Sequence, residues 1–392
     1  MTAADRGTTR VIGLISGTSY DAIDVAAADF TLDGDTLTLR PLGALSVAYE
    51  APVRDAIAKI LPPASTTIEA VCQLATELGH TYAAASARAL AELCGGDADL
   101  VCSHGQTVYH WVDDGRALGT LQLGQPALLA AGTGLPVVSD VRSADIAAGG
   151  QGAPLVSVFD ALLLAPDAGG PRRAALNLGG IANISVLSDD TVLGYDTGTA
   201  NALMDVASAR WFGEPYDAGG RRAAAGTVLP DLLDRLLAEP YYAAPAPKST
   251  GKELFHAGYL DGFLTGDERG EDVLATLTEL SARTVADALR AHRIAEVVAA
   301  GGGLRNPVLT ARIAELADCR LTSIEEFGID PDAKEAYAFA LLGWLTWHGL
   351  PGALPSVTGA GRPAVLGSIT PGTAPMRLPE PAAMPARMRV GR

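Results

Sequence analysis

Apolar residues in this chain come in short runs that stop at small polar turns. Val11-Ile-Gly-Leu-Ile15 is an apolar run of strand length, ending on Ser16-Gly17-Thr18-Ser19. Tyr20, Asp21, Ala22, Ile23 and Asp24 follow, and Val25 to Phe30 resumes the apolar pattern, so the stretch reads as a hairpin. Asp33-Gly34-Asp35 turns into a third extended run, Thr36 to Tyr49. Helical spacing marks Val53 to Leu61 and a longer stretch from Ile68 to about Cys94, with Thr67 as its cap and Gly95-Gly96 as its stop. Asp99 to Cys102 reads as a short buried strand delivering Ser103-His104-Gly105-Gln106-Thr107. Pro126 to Gly132 is a helix, Leu135 to Ser139 a strand, and Pro154 opens another helix.

The opening pattern then returns. Ala174 to Leu178 is a strand, Gly179-Gly180-Ile-Ala-Asn183 a polar turn and Ile184 to Leu187 the returning strand. Asp189-Asp190 makes a second turn, and Val192 to Tyr195 a third strand ending on Asp196-Thr-Gly-Thr-Ala-Asn201. A long helix (Val273 to His292), a strand (Glu296 to Ala300) and Gly301-Gly302-Gly303 with a further helix repeat the order of the first half. The repeat lies in order and not in residue identity, and it implies two open mixed α/β units facing each other across a cleft. Pro240 to Thr250 is a Pro/Ala-rich loop ending in Lys248-Ser-Thr-Gly251. Asp332 to Trp347 is an apolar-faced helix carrying Glu335, and Val357 to Thr370 holds a last short strand. Pro371 to Arg392 has the composition of a tail, whose arginines are expected to be solvated and idle.

Composition narrows the possibilities. At 392 residues the chain exceeds one core of ordinary size. With 48% hydrophobic and 19% charged residues it is globular and not disordered. Lys plus Arg number 29 against 45 Asp plus Glu, and the resulting charge of −16 repels nucleic acid and anionic membranes as partners. The same field repels ATP, so a nucleotide site needs local help from N–H dipoles, Mg²⁺ or a few basic residues. The turn at Ser16 to Ser19 offers such N–H groups for phosphate, and Asp21 and Asp24 are placed to hold water around Mg²⁺. An ordinary hairpin turn uses the same residue types. The four cysteines show no metal or disulfide spacing, which suits a reducing compartment. The polar first ten residues and the lack of a run near about 18 apolar residues make the cytoplasm the expected location.

Taken together these motifs resemble the anhydro-N-acetylmuramic acid kinase family. The matching stretches are Gly13 to Ser19 with Asp21 and Asp24, Ser103 to Thr107, Ser139-Asp-Val-Arg142 with Asp145, and Gly149 to Pro154. They continue through Asn177 to Asn183, Asp196-Thr-Gly with Asn201, Lys248 to Gly251, Gly301 to Gly303 with Asn306, and Glu335, collinear from about residue 11 to 370. The resemblance implies an α/β fold of two ribonuclease-H-like domains, as in actin and sugar kinases. Each would carry a mixed five-stranded sheet, with ATP in the interdomain cleft. The lobes are expected at 1–136 plus 358–392 and at 137–357. The implied reaction joins 1,6-anhydro-N-acetylmuramate, ATP and water to give N-acetylmuramate 6-phosphate and ADP in recycling of cell-wall sugar; a homodimer that closes on a hinge is implied too. The family's ATP hairpin maps to Gly17, Thr18, Ser19, Tyr20, Asp21, Ala22, Ile23 and Asp24. Ala22 stands where the family usually has Gly, which is harmless unless that residue needs positive φ.

A 1,6-anhydro sugar has no free 6-hydroxyl, so the bridge must open as the phosphoryl group moves. Asp196 matches the family's catalytic aspartate and is expected to take a proton from the attacking water, a role typically contributing about 10²–10⁴-fold; a turn-capping aspartate is the alternative. Glu335, by the same analogy, binds sugar or orders the water, unless it is only a helix-start carboxylate. His104, Gln106, Arg142 and Asp145 fall on the sugar side, with Arg142 the candidate for the lactyl carboxylate. Arg142 and Asp145 pairing with each other is the structural alternative. Gly179, Gly180 and Asn183 would form the second phosphate loop, Gly301, Gly302 and Gly303 with Asn306 would lie near adenosine, and Asp21 would reach Mg²⁺ through water. Lys248 either reaches phosphate or decorates a loop. Three competing readings are a kinase for another anhydro sugar such as levoglucosan, a nucleotide-binding switch without sugar chemistry, and a glycosidase using Asp196 and Glu335. The second lacks an appended peptide-binding domain, and the third leaves the phosphate loops without a role.

Overall fold

In the computed structural model, which describes residues 7–17, 20–165, 171–187, 192–246, 248–251 and 254–391, the first apolar run is β1 (Thr9–Ser16), with Val11, Ile12 and Leu14 wholly buried. It turns into the antiparallel β2 (Ala22–Asp33), which pairs with β3 (Thr36–Ala48). On the other side of β1 lie two parallel neighbours, β4 (Leu100–Asp113) and then β6 (Val137–Ser139). The core order is therefore β3-β2-β1-β4-β6. β5 (Arg116–Leu123) folds back on the far part of β4.

The second half repeats this order. β7 (Arg173–Leu178), β8 (Ile181–Leu187) and β9 (Val192–Thr199) form the antiparallel meander, and β10 (Glu296–Ala300) and β11 (Arg320–Ser323) join parallel to β7, giving β11-β10-β7-β8-β9. Two sheets of one strand order make the chain the α/β repeat that its sequence implied. This second sheet has the expected five strands. The first has eight, because β5, β12 (Ser368–Thr370) and β13 (Arg387–Val390) extend it. β12 pairs antiparallel with β6, and β13 pairs parallel with β3. The tail expected to be idle thus supplies a strand: Met388 is buried and Arg389 Nε donates to Thr38 Oγ1 at 2.9 Å.

The chain divides into unit 1 (Met1–Ala165 with Ala333–Arg392) and unit 2 (Pro166–Asp332). The boundaries expected at 136/137 and 357/358 both fall inside unit 1, for two physical reasons. A cut at 136 would separate β6 from β4, its ladder partner. The helix Lys334–Trp347, assigned from sequence to the second lobe, instead lies directly on the sheet of unit 1. At Gly13 a Cβ would sit 2.2 Å from the Ala336 carbonyl oxygen, and at Gly343 one would sit 2.6 Å from Cys102 Cβ. Glycines on both surfaces let strand and helix backbones touch. The expected helix from 68 is present as Ile68–Glu92, with Thr67 accepting from Ala70 N as its cap. It packs into the unit 1 core through Leu74, Leu78 and Tyr82. In unit 2 the corresponding helix Gly270–Ala291 buries Leu274, Leu277 and Leu280. Among the described residues no helix is long and apolar enough to cross a membrane.

Candidate active site

Thr18 and Ser19, at the tip of the first hairpin, lie outside the described residues. The flanks are defined. Tyr20 takes a positive φ of 43° and donates its N–H to the Gly17 carbonyl at 3.2 Å, closing the turn. Asp21 is exposed, and its Oδ1 accepts from Ala22 N at 3.0 Å. Ala22 opens β2 in extended backbone, so its methyl group meets no conformational penalty where the family usually has glycine. Ile23 is buried in the core and Asp24 pairs in register with Ile15.

Behind this turn stands Gln106, a residue expected among the sugar contacts. It is buried, and the protein engages both ends of its amide. Oε1 accepts from Ser16 Oγ at 2.6 Å and Tyr49 OH at 3.5 Å, and Nε2 donates to the Gly17 and Thr107 carbonyls at 3.3 and 3.2 Å. Gln106 therefore holds the end of β1 in place, and no donor remains for a ligand. Asp145 is likewise structural. Its Oδ2 accepts from Gly152 N at 2.8 Å and its Oδ1 from Thr358 Oγ1 at 2.7 Å, tying the 149–152 loop to the 354–358 turn. A Cβ at Gly150 would lie 2.3 Å from Asp145 Oδ2, so glycine is required there.

His104 and Arg142 do come together. Arg142 Nε donates to His104 Nε2 at 2.8 Å and its Nη1 to the Gly152 carbonyl at 2.6 Å, which replaces the Arg142–Asp145 pairing weighed from sequence. Burial, with the adjacent guanidinium adding to it, holds His104 well below its ordinary pKa. The imidazole is thus neutral, and because Nε2 accepts, its proton sits on Nδ1. That buried Nδ1 has no hydrogen-bond partner among the described residues. Desolvation pushes Arg142 down to about 10, against the charge of Glu335, so it remains a cation at neutral pH. Glu335 is exposed in the first turn of its helix, close enough to Arg142 for each to feel the other's charge. Beside His104 opens a cavity of about 410 Å³ lined also by Ser103, Gln122, Gln125, Asp140 and Ser143.

In unit 2, Asn177, Asn183 and Asp196 pair in register across β7, β8 and β9 and so form one polar row on one sheet face. Asp196 is held on all sides. Its Oδ2 accepts from Ser249 Oγ at 3.0 Å and Thr250 N at 2.9 Å, its N–H donates to the Lys248 carbonyl at 3.0 Å, and its carbonyl accepts from Tyr241 OH at 2.8 Å. The polar turn is shorter than expected, only Gly179 and Gly180, since β8 begins at Ile181. Asn201 Nδ2 donates to the Leu178 and Gly179 carbonyls, and Ala200 and Ala202 donate to that of Gly180. Those bonds orient the glycine turn. Gly301 has φ of 90°, and a Cβ there would lie 2.6 Å from Asn177 Oδ1; at Gly303 it would lie 2.6 Å from Leu178 Cβ. The glycine triplet therefore packs against the end of β7, bringing two candidate phosphate and adenosine loops side by side. Gly302 faces open space. Asn306, expected near adenosine, instead caps the helix Pro307–Ala317, accepting from Val308 N and Leu309 N at 3.2 Å each. Asn177 was missed from sequence, though it is the polar residue breaking the apolar run of β7 just before the glycines. No group of three or more His, Cys, Asp or Glu residues that could hold a metal ion exists among the described residues.

Comparison with known proteins bears on this arrangement. A model of the family described as anhydro-N-acetylmuramic acid kinase matches residues 9–372. A protein of that name from Streptomyces coelicolor is 58% identical over 385 residues, covering 97% of this chain and 98% of its own length. One from Rhodococcus erythropolis is 54% identical, covering 97% and 99%. One from Salinibacter ruber is 41% identical, covering 92% and 96%.

Proposed function

Since the chain belongs to the anhydro-N-acetylmuramic acid kinase family, we propose that it opens 1,6-anhydro-N-acetylmuramate with water while transferring the γ-phosphoryl group of ATP to O6. In that reaction water oxygen bonds to C1, the C1–O6 bond breaks, O6 takes the phosphoryl group, and N-acetylmuramate 6-phosphate and ADP leave. Asp196 receives the proton of the water. The observation that carries this reading is the aspartate's setting, with one carboxylate oxygen fixed by Ser249 Oγ and Thr250 N. A general base works when its direction is fixed before substrate arrives.

The remaining roles follow from the chemistry of each group. The guanidinium of Arg142, charged and braced by His104, suits the lactyl carboxylate. The neutral Nδ1–H of His104 and the adjoining cavity suit the uncharged hydroxyl and amide groups of the sugar. Glu335 orders the attacking water or binds sugar. The Gly17 turn and the Gly179–Gly180 turn, with Asn183, hold phosphates through backbone N–H groups, and Gly301 to Gly303 lie along adenosine. Asp21 and Asp24 flank the first turn and would hold a hydrated Mg²⁺ through its waters, as that ion prefers. When bound with the nucleotide, Mg²⁺ neutralises phosphate charge. Turnover in ¹⁸O-water tests the reaction: label belongs at the C1 hydroxyl and not in the phosphate ester, and label in the ester would exclude it. Levoglucosan turned over as well as the muramyl sugar would remove the lactyl and N-acetyl requirement.

A further inference from the structure

Lys248 is the motif residue whose role the sequence leaves open, and its surroundings are specific. Its ammonium donates to the carbonyls of Tyr241 and Tyr242 at 2.9 Å each, and lies 4.7 Å from the centre of the Tyr241 ring. Two of its three donors are thus bound to the chain itself. The Tyr241 hydroxyl returns to the Asp196 carbonyl, and the Lys248 carbonyl takes the Asp196 N–H. Tyr242 lies across Gly198, where a Cβ would sit 2.5 Å from its Cε1. Tyr242 stacks on Phe255 and Tyr241 meets the same ring edge-on. Tyr241 and Tyr242 on one side and Lys248 to Thr250 on the other therefore strap Asp196-Thr197-Gly198, and Lys248 joins the two parts of the strap.

We infer that Lys248 is a positioning residue and not a phosphate ligand: it pins a strap that aims the Asp196 carboxylate through Ser249 and Thr250. This rests on Asp196 being the base. Two donors on Oδ2 fix the carboxylate plane. Releasing the lysine frees the segment that carries both donors, and a displacement of about 1 Å in a reacting group can cost about 10²-fold in rate. The strap's hydrogen bonds reach the base through Tyr241, Ser249 and Thr250, so its loss is expected to lower kcat and leave KM in place.

The test uses the full chain with 1,6-anhydro-N-acetylmuramate and Mg-ATP. Lys248→Met is expected to lower kcat about 10–100-fold with both KM values within about threefold. Lys248→Arg, which keeps the cation and its donors over the ring, is expected to recover most of that loss. Ser249→Ala removes an exposed hydroxyl and is expected to lower kcat about 3–10-fold, so it decides the matter if Lys248→Met does not fold. A KM for ATP raised about tenfold or more at unchanged kcat would make Lys248 a phosphate ligand and overturn the inference. Wild-type kcat in both Lys248→Met and Ser249→Ala would overturn it too. Asp196→Asn separates the two levels: if it turns over normally, the base assignment fails first. If it is inactive while the strap variants are normal, the strap alone falls.

Discussion

Lys334 Nζ lies 2.7 Å from Asp160 Oδ1, and the two side chains are only 7% and 6% exposed. The pair joins the helix Ser157–Leu163 to the first turn of the helix Lys334–Trp347, one residue before Glu335. Removing one partner leaves a buried, uncompensated charge, so Lys334→Met is expected to cost about 3–5 kcal/mol. The double variant Lys334→Met with Asp160→Leu should recover much of it, because an apolar pair of similar size has no charge to desolvate. Urea midpoints of the two variants and the wild type measure this; equal losses in the single and double variants would refute it.

His104 carries a pH dependence of stability. Its ordinary pKa is 6.5 and burial holds it well below that in the folded chain. Below the ordinary value the unfolded chain binds a proton that the folded chain does not. Stability is therefore present above about pH 6.5 and is lost as pH falls, by up to about 1.4 kcal/mol per pH unit. His104→Gln keeps an acceptor for Arg142 without titrating, so its Tm should fall less steeply than the wild type's between pH 7 and 5. Parallel slopes would show that His104 does not contribute.

Neighbouring glycines separate contact from flexibility. Gly301→Ala forces a methyl group against Asn177 Oδ1 at positive φ, and overpacking of that kind costs about 1–3 kcal/mol. It should also weaken nucleotide binding if the triplet lies along adenosine. Gly302→Ala has no atom within 4 Å and should change stability by less than about 0.5 kcal/mol. Melting curves and nucleotide titrations of the two variants should diverge.

Asn306→Ala tests capping against ligand binding. Loss of the cap costs about 0.5–2 kcal/mol, while affinity for nucleotide should stay within about twofold. A large loss of affinity without loss of stability would return Asn306 to the nucleotide site.

Removing residues 386–392 takes away β13 and the buried Met388. Loss of a buried methionine alone costs about 2–5 kcal/mol, and Tm should fall by about 4–20 °C at the usual 2–4 °C per kcal/mol for domains of this size. An unchanged Tm would make the strand dispensable.

Local pattern made much of this readable in advance. Strand periodicity and glycine turns announced both meanders, and Thr67 announced its helix, because those signals act between residues close in sequence. β13 was unreadable: four residues, Arg387-Met-Arg-Val390, in a polar Pro-rich stretch pair with Thr36 to Leu39 some three hundred and fifty positions away. The long β4 was hidden because the polar Ser103 to Thr107 interrupts its apolar pattern, and its outer half leaves Tyr109, Trp111 and Val112 half-exposed. Gln106, Asp145 and Asn306 carry the residue types of a binding site, yet their partners are backbone groups and the hydroxyls of Ser16, Tyr49 and Thr358. Sequence reveals that a polar side chain is present; only folded geometry reveals whether the chain already uses it.

Unit 1 is stitched from both ends of the polypeptide, and that sets an order of assembly. A ribosome will have released every residue of unit 2 before the helix that covers Gly13 exists. Until then, the apolar surface of β1 that awaits it has no lid, and β3 waits longer still for its outer neighbour. Nascent chains stalled so that Asp332 has just left the ribosome should accordingly protect the later-encoded domain from protease while the earlier-encoded one is still cut.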